Sequence, residues 1–467
     1  MSASDALLWT IGRDPVLRTT IVAVLVLDRA PDFAHLRARA VEVAAAVPRL
    51  RSCVAPGPLG WGRPTWVADD AFDIDRHLRR MRAAPPATLR SVLDLAQVMG
   101  TTAFDPAMPL WETVVVEGLE DGQAAFVIKL HHAVTDGVGG IGVAMRLLDR
   151  SRRPRRPPAS DTGAARADGD DPAAGPRRPR LVDAMATLAP AGRRLGDLAL
   201  QTACHPVGGL RSTARSARSA ARLLAPAPHP LSELLVGRSI GRRYEVLDLD
   251  PAGLRGAGAA TGATVNDLFV AGVLGGLARY HEHHATHVER LRVLMPVNVR
   301  RPGHGEGGNH FVPARFALAL GGGPAERLRE VHRVTETWKH APGLALSDVL
   351  AAALDRLPPP LVGALWGTML KGDDFVATNV PGPTFETYLA GARVERFYAF
   401  APPSGAALNV ALVTPAGRAC VGISVDSAAV PDTAVLARCL ASGFDEVLGL
   451  AGAPPGGALR VHEEVVS

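Results

Sequence analysis

Residues 129–140, KLHHAVTDGVGG, constrain the chain more than any other stretch. An apolar run over 124–130 leads into them with the length and β-branched content of a buried strand. His131 and His132 stand where that strand ends, and Asp136 follows four residues after His132. Gly137, Gly139 and Gly140 then give the backbone freedom for a sharp turn, and residues 141–148 have helical spacing. Neighbouring side chains on a strand point to opposite faces. One histidine can therefore enter a cavity while the other packs or hydrogen-bonds behind it. Strand end, imidazole, glycine turn and helix make a seat for a general base. Two plainer readings compete with it. One is a structural histidine; the other is a metal site from His131, His132 and Asp136, which lacks further ligands nearby at zinc-like spacing.

The chain has 467 residues, 47% of them hydrophobic, enough to bury a large core in two domains. Its net charge of +5 is uneven, with basic residues crowded between Arg150 and Arg243. That segment has no aromatic interleaving and no reader motif, which argues against nucleic acid as a partner. An anionic membrane or lipid-body surface suits it better. Arg211, Arg215, Arg218 and Arg222 share one face of an expected helix, either at a membrane surface or as a solvated face bridging two domains. Cys53, Cys204, Cys420 and Cys439 lack CxxC spacing and read as reduced thiols of a cytosolic chain. The N-terminal MSASDALLW has no basic or long apolar region, and 21–27 is too short to span a bilayer. The expectation is a cytoplasmic protein whose contact with lipid is peripheral.

Three segments follow from composition: a first domain over 1–150, a Pro/Arg-rich linker and helical crossover over 151–230, and a second domain over 231–467. In the first, strands are expected over 19–28, 49–54, 113–117 and 124–130, with helices over 31–46 and 89–99. In the second, strands are expected over 244–249, 292–299, 311–320, 375–380, 393–400, 407–413 and 419–425. Helices are expected over 268–280, 325–340, 344–357 and 431–448. Thr264 and Asp267 make a capping-box pattern ahead of the helix from 268, and Asn266 lies between them. The histidines at its far end, His281, His283, His284 and His287, read as a surface feature. Pro109, Leu110 and Trp111 read as core packing, with Trp111 a large apolar anchor. Prolines on both sides of Gly382 fix a turn over Asn379–Pro383. The fold class is α/β or α+β, with mixed sheets.

Several of these stretches together resemble one family. HHAVTDG over 131–137 matches the HHxxxDG motif of the CoA-dependent acyltransferases. PLW at 109–111, ND at 266–267 and NVPGP at 379–383 resemble, in order and rough spacing, the bacterial wax ester synthase/diacylglycerol acyltransferase family. The similarity spans nearly the whole chain. Residues 14–19, DPVLRT, depart from the family's common PMH-like stretch, and the Pro/Arg-rich segment is unusually long.

The resemblance implies two chloramphenicol-acetyltransferase-like domains with an active-site tunnel between them. It implies His132 as general base, with His131 and Asp136 completing the catalytic motif. Gly137, Arg300, Asn266 and Asp267 are the implied structural support. Pro109, Leu110, Trp111, Asn379, Pro381 and Gly382 become substrate-channel candidates. In related acyltransferases an arginine after a strand bridges to the motif aspartate; Arg300 looks like its counterpart, with Arg301 as the alternative. The implied reaction esterifies diacylglycerol or a long-chain fatty alcohol with an acyl-CoA as co-substrate. It needs no other cofactor, no metal and no covalent acyl-enzyme. Asn266 is one candidate donor to the oxyanion, against a role in helix-start packing. A non-catalytic lipid-surface protein and a condensation-type enzyme making another ester are the alternatives.

Overall fold

A computed structural model describes residues 1–57, 63–153, 229–298, 311–339, 367, 370–402, 404–452 and 460–461. The linker beyond residue 153, the arginine-faced helix, Arg300, Arg301, Cys204 and the helix expected over 344–357 lie outside the described residues.

The first half runs α1 (Ala3–Ile11), β1 (Thr20–Leu27), α2 (Phe33–Ala46), β2 (Ser52–Ala55), β3 (Thr65–Ala68), α3 (Ile74–His77) and β4 (Leu78–Arg82). It continues with α4 (Leu89–Thr101), β5 (Trp111–Glu117), β6 (Ala124–His131), α5 (Gly137–Leu147) and β7 (Leu148–Asp149). The second half begins with β8 (Arg242–Leu249), α6 (Pro251–Thr261), α7 (Val265–His283), β9 (Arg290–Asn298), β10 (Phe311–Ala319) and α8 (Pro324–Lys339). After it come β11 (Phe375–Val380), β12 (Tyr388–Leu389), β13 (Ala392–Phe400), β14 (Leu408–Val413), β15 (Ala419–Asp426), α9 (Thr433–Leu448) and β16 (Arg460–Val461).

Two mixed seven-stranded sheets result, in the orders β4-β5-β6-β1-β13-β12-β7 and β10-β9-β11-β14-β15-β8-β16, beside a small β2-β3 hairpin. The first sheet does not stop at residue 150. Strands β12 and β13 come from the second half, and β13 pairs antiparallel with β1, placing Phe400 opposite Val22 and Phe397 opposite Leu25. Each half thus supplies strands to one shared wall. The two sheets are in turn joined between β13 and β8: Arg396 Nε lies 2.8 Å from Asp248 Oδ2, the Tyr398 hydroxyl donates to Asp248 Oδ1 at 2.7 Å, and Tyr244 stacks on Phe400.

Several short elements and the helix α6 escape the sequence pattern, as do α1 and β4. α1 is capped by Ser2, whose hydroxyl accepts the Asp5 amide at 3.1 Å, so the S-x-x-D pattern at 2–5 was its signal. β4 carries three arginines and lies parallel to β5 at a sheet edge with most side chains exposed, which is where charged residues belong on a strand.

The core of the second half wraps α7, which is buried along most of its length. It crosses α9 through glycines: a β-carbon on Gly443 would sit 2.1 Å from the Gly276 nitrogen. Among the described residues no single helix is long and apolar enough to cross a membrane. Only α6 and α7 together pass by length and composition, and they are bent by 103°.

Candidate functional site

The two sheets enclose a chamber of about 200 Å³. Its near wall is the face of β6, β1 and β13 that carries Ile128, Leu130, Ile21, Ala23, Phe397 and Ala399, and its far wall comes from β9, β11 and β14 of the other sheet. Pairing of Ile21 with Leu130 and Ala23 with Ile128 puts these side chains on one face. His132, one residue past the end of β6, continues that alternation and borders the chamber. It is the one imidazole on the wall among the described residues. Its backbone N–H donates to Thr19 O at 2.8 Å, which fixes the histidine to the start of β1.

His131 points to the other face and is 5% exposed. Its Nδ1 accepts the Ala133 N–H at 3.0 Å, so the ring proton sits on Nε2, 3.2 Å from Thr19 Oγ1. The Thr19 hydroxyl passes a hydrogen bond on to Leu8 O at 3.3 Å. Trp9 and Phe104 flank the ring. Burial, with a smaller contribution from neighbouring His132, pushes the His131 pKa down to about 3. His131 is therefore neutral at any working pH. Gly12 allows this close packing, since a β-carbon there would lie 2.7 Å from Thr19 Oγ1.

The helix after the histidines starts earlier than its spacing suggests. Asp136 is the N-cap of α5, and its Oδ1 accepts the Gly139 N–H at 2.8 Å. The glycines at 137, 139 and 140 thus form the first turn of the helix, while residues 132–136 make the turn itself. Asp136 and Gly137 both border the chamber. A β-carbon on Gly137 would meet Val380 Cγ2 at 3.2 Å, so the HHxxxDG stretch and the NVPGP stretch touch across the two halves.

Of the substrate-channel candidates, Asn379 borders the chamber. Pro381 is exposed outside it, and Gly382 is pressed on the chain at 414–415, where a β-carbon would lie 2.8 Å from the Pro415 nitrogen. Leu110 and Trp111 are buried core residues; Trp111 Nε1 donates to Leu50 O at 2.8 Å, and Leu110 O accepts the His131 N–H. Pro109 is buried beside them. Trp111 lines a separate apolar cavity rather than the chamber.

Asn266 is not on the chamber wall; its Nδ2 donates to Met295 Sδ at 3.6 Å, which answers to helix-start packing. Asp267 closes the capping box with Thr264 and also takes hydrogen bonds from His332 Nδ1 at 2.9 Å and Thr335 Oγ1 at 2.8 Å. Burial opposes its ionisation, but these bonds outweigh it and hold the carboxyl below its ordinary range.

The polar groups that sequence reading missed are Thr378, Ser404 and Asn409 on the far wall. Asn409 is 1% exposed, donates to Pro402 O at 3.1 Å, and leaves its Oδ1 without a hydrogen-bond partner. No local pattern marks these residues. The parallel pairing of β11 with β14 brings Thr378 and Asn409 together, and Ser404 comes from the connection between β13 and β14.

The histidines at the end of α7 divide. His281 is a core residue rather than a surface one, with Nε2 2.7 Å from Ser232 Oγ and Nδ1 2.7 Å from Leu277 O. His283 and His284, with Asp432, are the grouping among the described residues that has metal-site dimensions, their ligand atoms lying within 4.8 Å of one another. Asp432 already accepts from the Tyr280 hydroxyl at 2.6 Å and pairs with His284 at 3.0 Å.

Comparison with known proteins gives the family and the fold. Residues 1–269 match the wax ester synthase/diacylglycerol acyltransferase catalytic domain, and residues 308–447 match the C-terminal domain of the same family. A Mycobacterium tuberculosis protein bearing the name of a diacylglycerol O-acyltransferase is 35% identical over 453 residues, covering 94% of this chain and 90% of that protein. A second protein of that organism, also so named, is 32% identical over 384 residues, covering 79% of this chain and 80% of its own. Among solved structures, the wax ester synthase/diacylglycerol acyltransferase of Marinobacter aquaeolei VT8 superposes with a TM-score of 0.58 at 21% identity, covering 93% of this chain and 95% of that one. The first condensation domain of the calcium-dependent antibiotic synthetase superposes with a TM-score of 0.61 at 18% identity, covering 99% and 98%. Both structural likenesses speak to the two-domain fold. With the family model matched over more than half its length, the chain belongs to the wax ester synthase/diacylglycerol acyltransferase family and is an acyltransferase.

Proposed function

We propose that the protein transfers the acyl group of an acyl-CoA to the hydroxyl of diacylglycerol or of a long-chain fatty alcohol, with His132 as general base. The observation that carries this reading is the placement of one imidazole, His132, on the wall of an otherwise mostly apolar chamber built by both halves. An alcohol is a poor nucleophile near neutral pH, and an imidazole titrating there can take its proton as the oxygen attacks the thioester carbonyl. The tetrahedral intermediate then expels the CoA thiolate, the C–S bond breaks, and the imidazolium returns the proton to sulfur. The products are ester and free CoA thiol, with His132 restored. Thr378, Asn379 and Ser404 are the side chains at hand to donate to the oxyanion. Apolar walls disfavour water, the competing nucleophile.

Both acceptors partition into lipid, so this reading places the working protein in the cytoplasm at a membrane face or on lipid bodies. The test is incubation of purified protein with palmitoyl-CoA and either hexadecanol or dioleoylglycerol, following free thiol release. Acceptor-dependent release supports the proposal. A protein that binds lipid vesicles but releases no thiol with either acceptor is the lipid-surface alternative instead.

A further inference from the structure

A second cavity lies beside the chamber, inside the first half, between the β5–β6 face of the sheet and helices α2 and α5. Its lining is almost wholly hydrocarbon. The two residues with polar atoms have them engaged elsewhere: Thr113 Oγ1 donates to His77 O at 2.9 Å and Trp111 Nε1 to Leu50 O at 2.8 Å. Nothing in it calls for a polar ligand or water.

The two cavities share four wall residues, Ile128, Leu130, Gly140 and Ala144. Gly140 and Ala144 are one helical turn apart, so the α5 side of the partition is made of a hydrogen and a methyl group. The glycine has no local reason to be there. Its φ is not positive, and a β-carbon on it would meet only Thr135 Cγ2, at an ordinary 3.7 Å. Glycine inside a helix is less stable than alanine. What it does provide is width between the two spaces.

We propose that this second cavity is the subsite for the distal part of the acyl chain, threaded past Gly140 and Ala144, and that these two residues set the chain length accepted. The inference rests on the acyl-CoA reading above. The acyl chain is the hydrocarbon common to either acceptor, and its carbonyl end belongs beside His132 and the start of α5, from which Gly140 and Ala144 lead away along the helix. The cavity volume is about 60 Å³, against roughly 10–15 Å³ for one water by the same measure, which holds about four to six methylene-sized groups. Each methylene denied burial weakens binding by about fourfold.

The experiment compares palmitoyl-CoA with butyryl-CoA in the wild type, Ala144→Leu, and Ala40→Leu, which fills the cavity from α2 on its far side. The palmitoyl-to-butyryl ratio of kcat/KM is expected to fall at least about tenfold in both variants. Val43→Ala, which deepens the cavity, should move the ratio the other way and covers the case of a misfolded leucine variant. The same ratio read as Kd by calorimetry carries the inference should no thiol be released, an outcome that sinks the activity reading alone. Ratios unchanged in all three variants overturn the proposal. So does a preference that shifts with acceptor length, hexadecanol against butanol, and not with acyl length, since the cavity would then belong to the acceptor.

Discussion

Val380 rests on the α-carbon of Gly137, closer than most side chains approach a β-carbon: one built at Gly137 would meet Val380 Cγ2 at 3.2 Å. This contact ties the first turn of α5 to the end of β11, and hence the histidine side of the chamber to its far wall. Gly137→Ala should push the two apart and lower kcat/KM on the order of tenfold, because reacting groups tolerate little displacement. Val380→Ala in the same chain should restore part of the loss. A double variant no better than Gly137→Ala would show that the contact does not set the chamber.

Replacement of His132 separates base from scaffold. His132→Ala should cost on the order of 10² to 10⁴ in turnover while leaving the melting temperature near that of the wild type. His131→Ala should show the reverse balance, since it removes a buried ring held by Thr19 and Ala133. Near-wild-type thiol release from His132→Ala would remove it from the mechanism.

The buried neutral His131 also makes stability depend on pH. Its folded pKa is about 3 against an ordinary 6.5, so between these values the unfolded chain binds a proton that the folded chain does not. Stability from this group is complete above about pH 6.5 and is lost as pH falls toward 3, at up to about 1.4 kcal/mol per unit. Asp373 acts oppositely: burial pushes its carboxyl up to about 7 against the pull of Arg315, and its contribution fades as pH rises from about 4 to 7. The difference between wild type and His131→Asn therefore isolates the histidine. The variant should lose less melting temperature than the wild type between pH 6.5 and 4.5; equal losses would place the imidazole in solvent contact.

The strands were legible because short runs rich in β-branched and aromatic residues stand between turn residues. The expected 375–380 is β11 as found, and the expected 393–400 falls short of β13 by one residue at its start. Which sheet each strand joins was not legible. Nothing local in Ala392–Phe400 says that it pairs with β1 of the other half, yet that pairing puts Phe397 and Ala399 on the chamber wall. The site divided in the same way. Strand alternation foretold opposite faces for His131 and His132, whereas Thr378 and Asn409 arrive by tertiary pairing that no spacing encodes. Asp136 was legible as a chemical group but not as a cap, because three glycines in a row of four read as loop rather than as the first turn of a helix.

Asp136 allows cap and ion pair to be told apart. Its Oδ1 accepts the Gly139 N–H, and loss of such a cap costs about 1 kcal/mol. Asp136→Ala should therefore lower stability by at least that amount. Asparagine caps helices as well as aspartate, so Asp136→Asn keeps the cap and removes only the charge. The family resemblance implies that this charge faces the arginine at position 300, and removing one partner of a buried pair leaves the other uncompensated. On that expectation Asp136→Asn lowers both melting temperature and turnover, Arg300→Ala does the same, and the double variant is little worse than either one. Full additivity in the double-mutant cycle, or an Asp136→Asn protein as stable and active as the wild type, would leave Asp136 with the helix cap as its whole role.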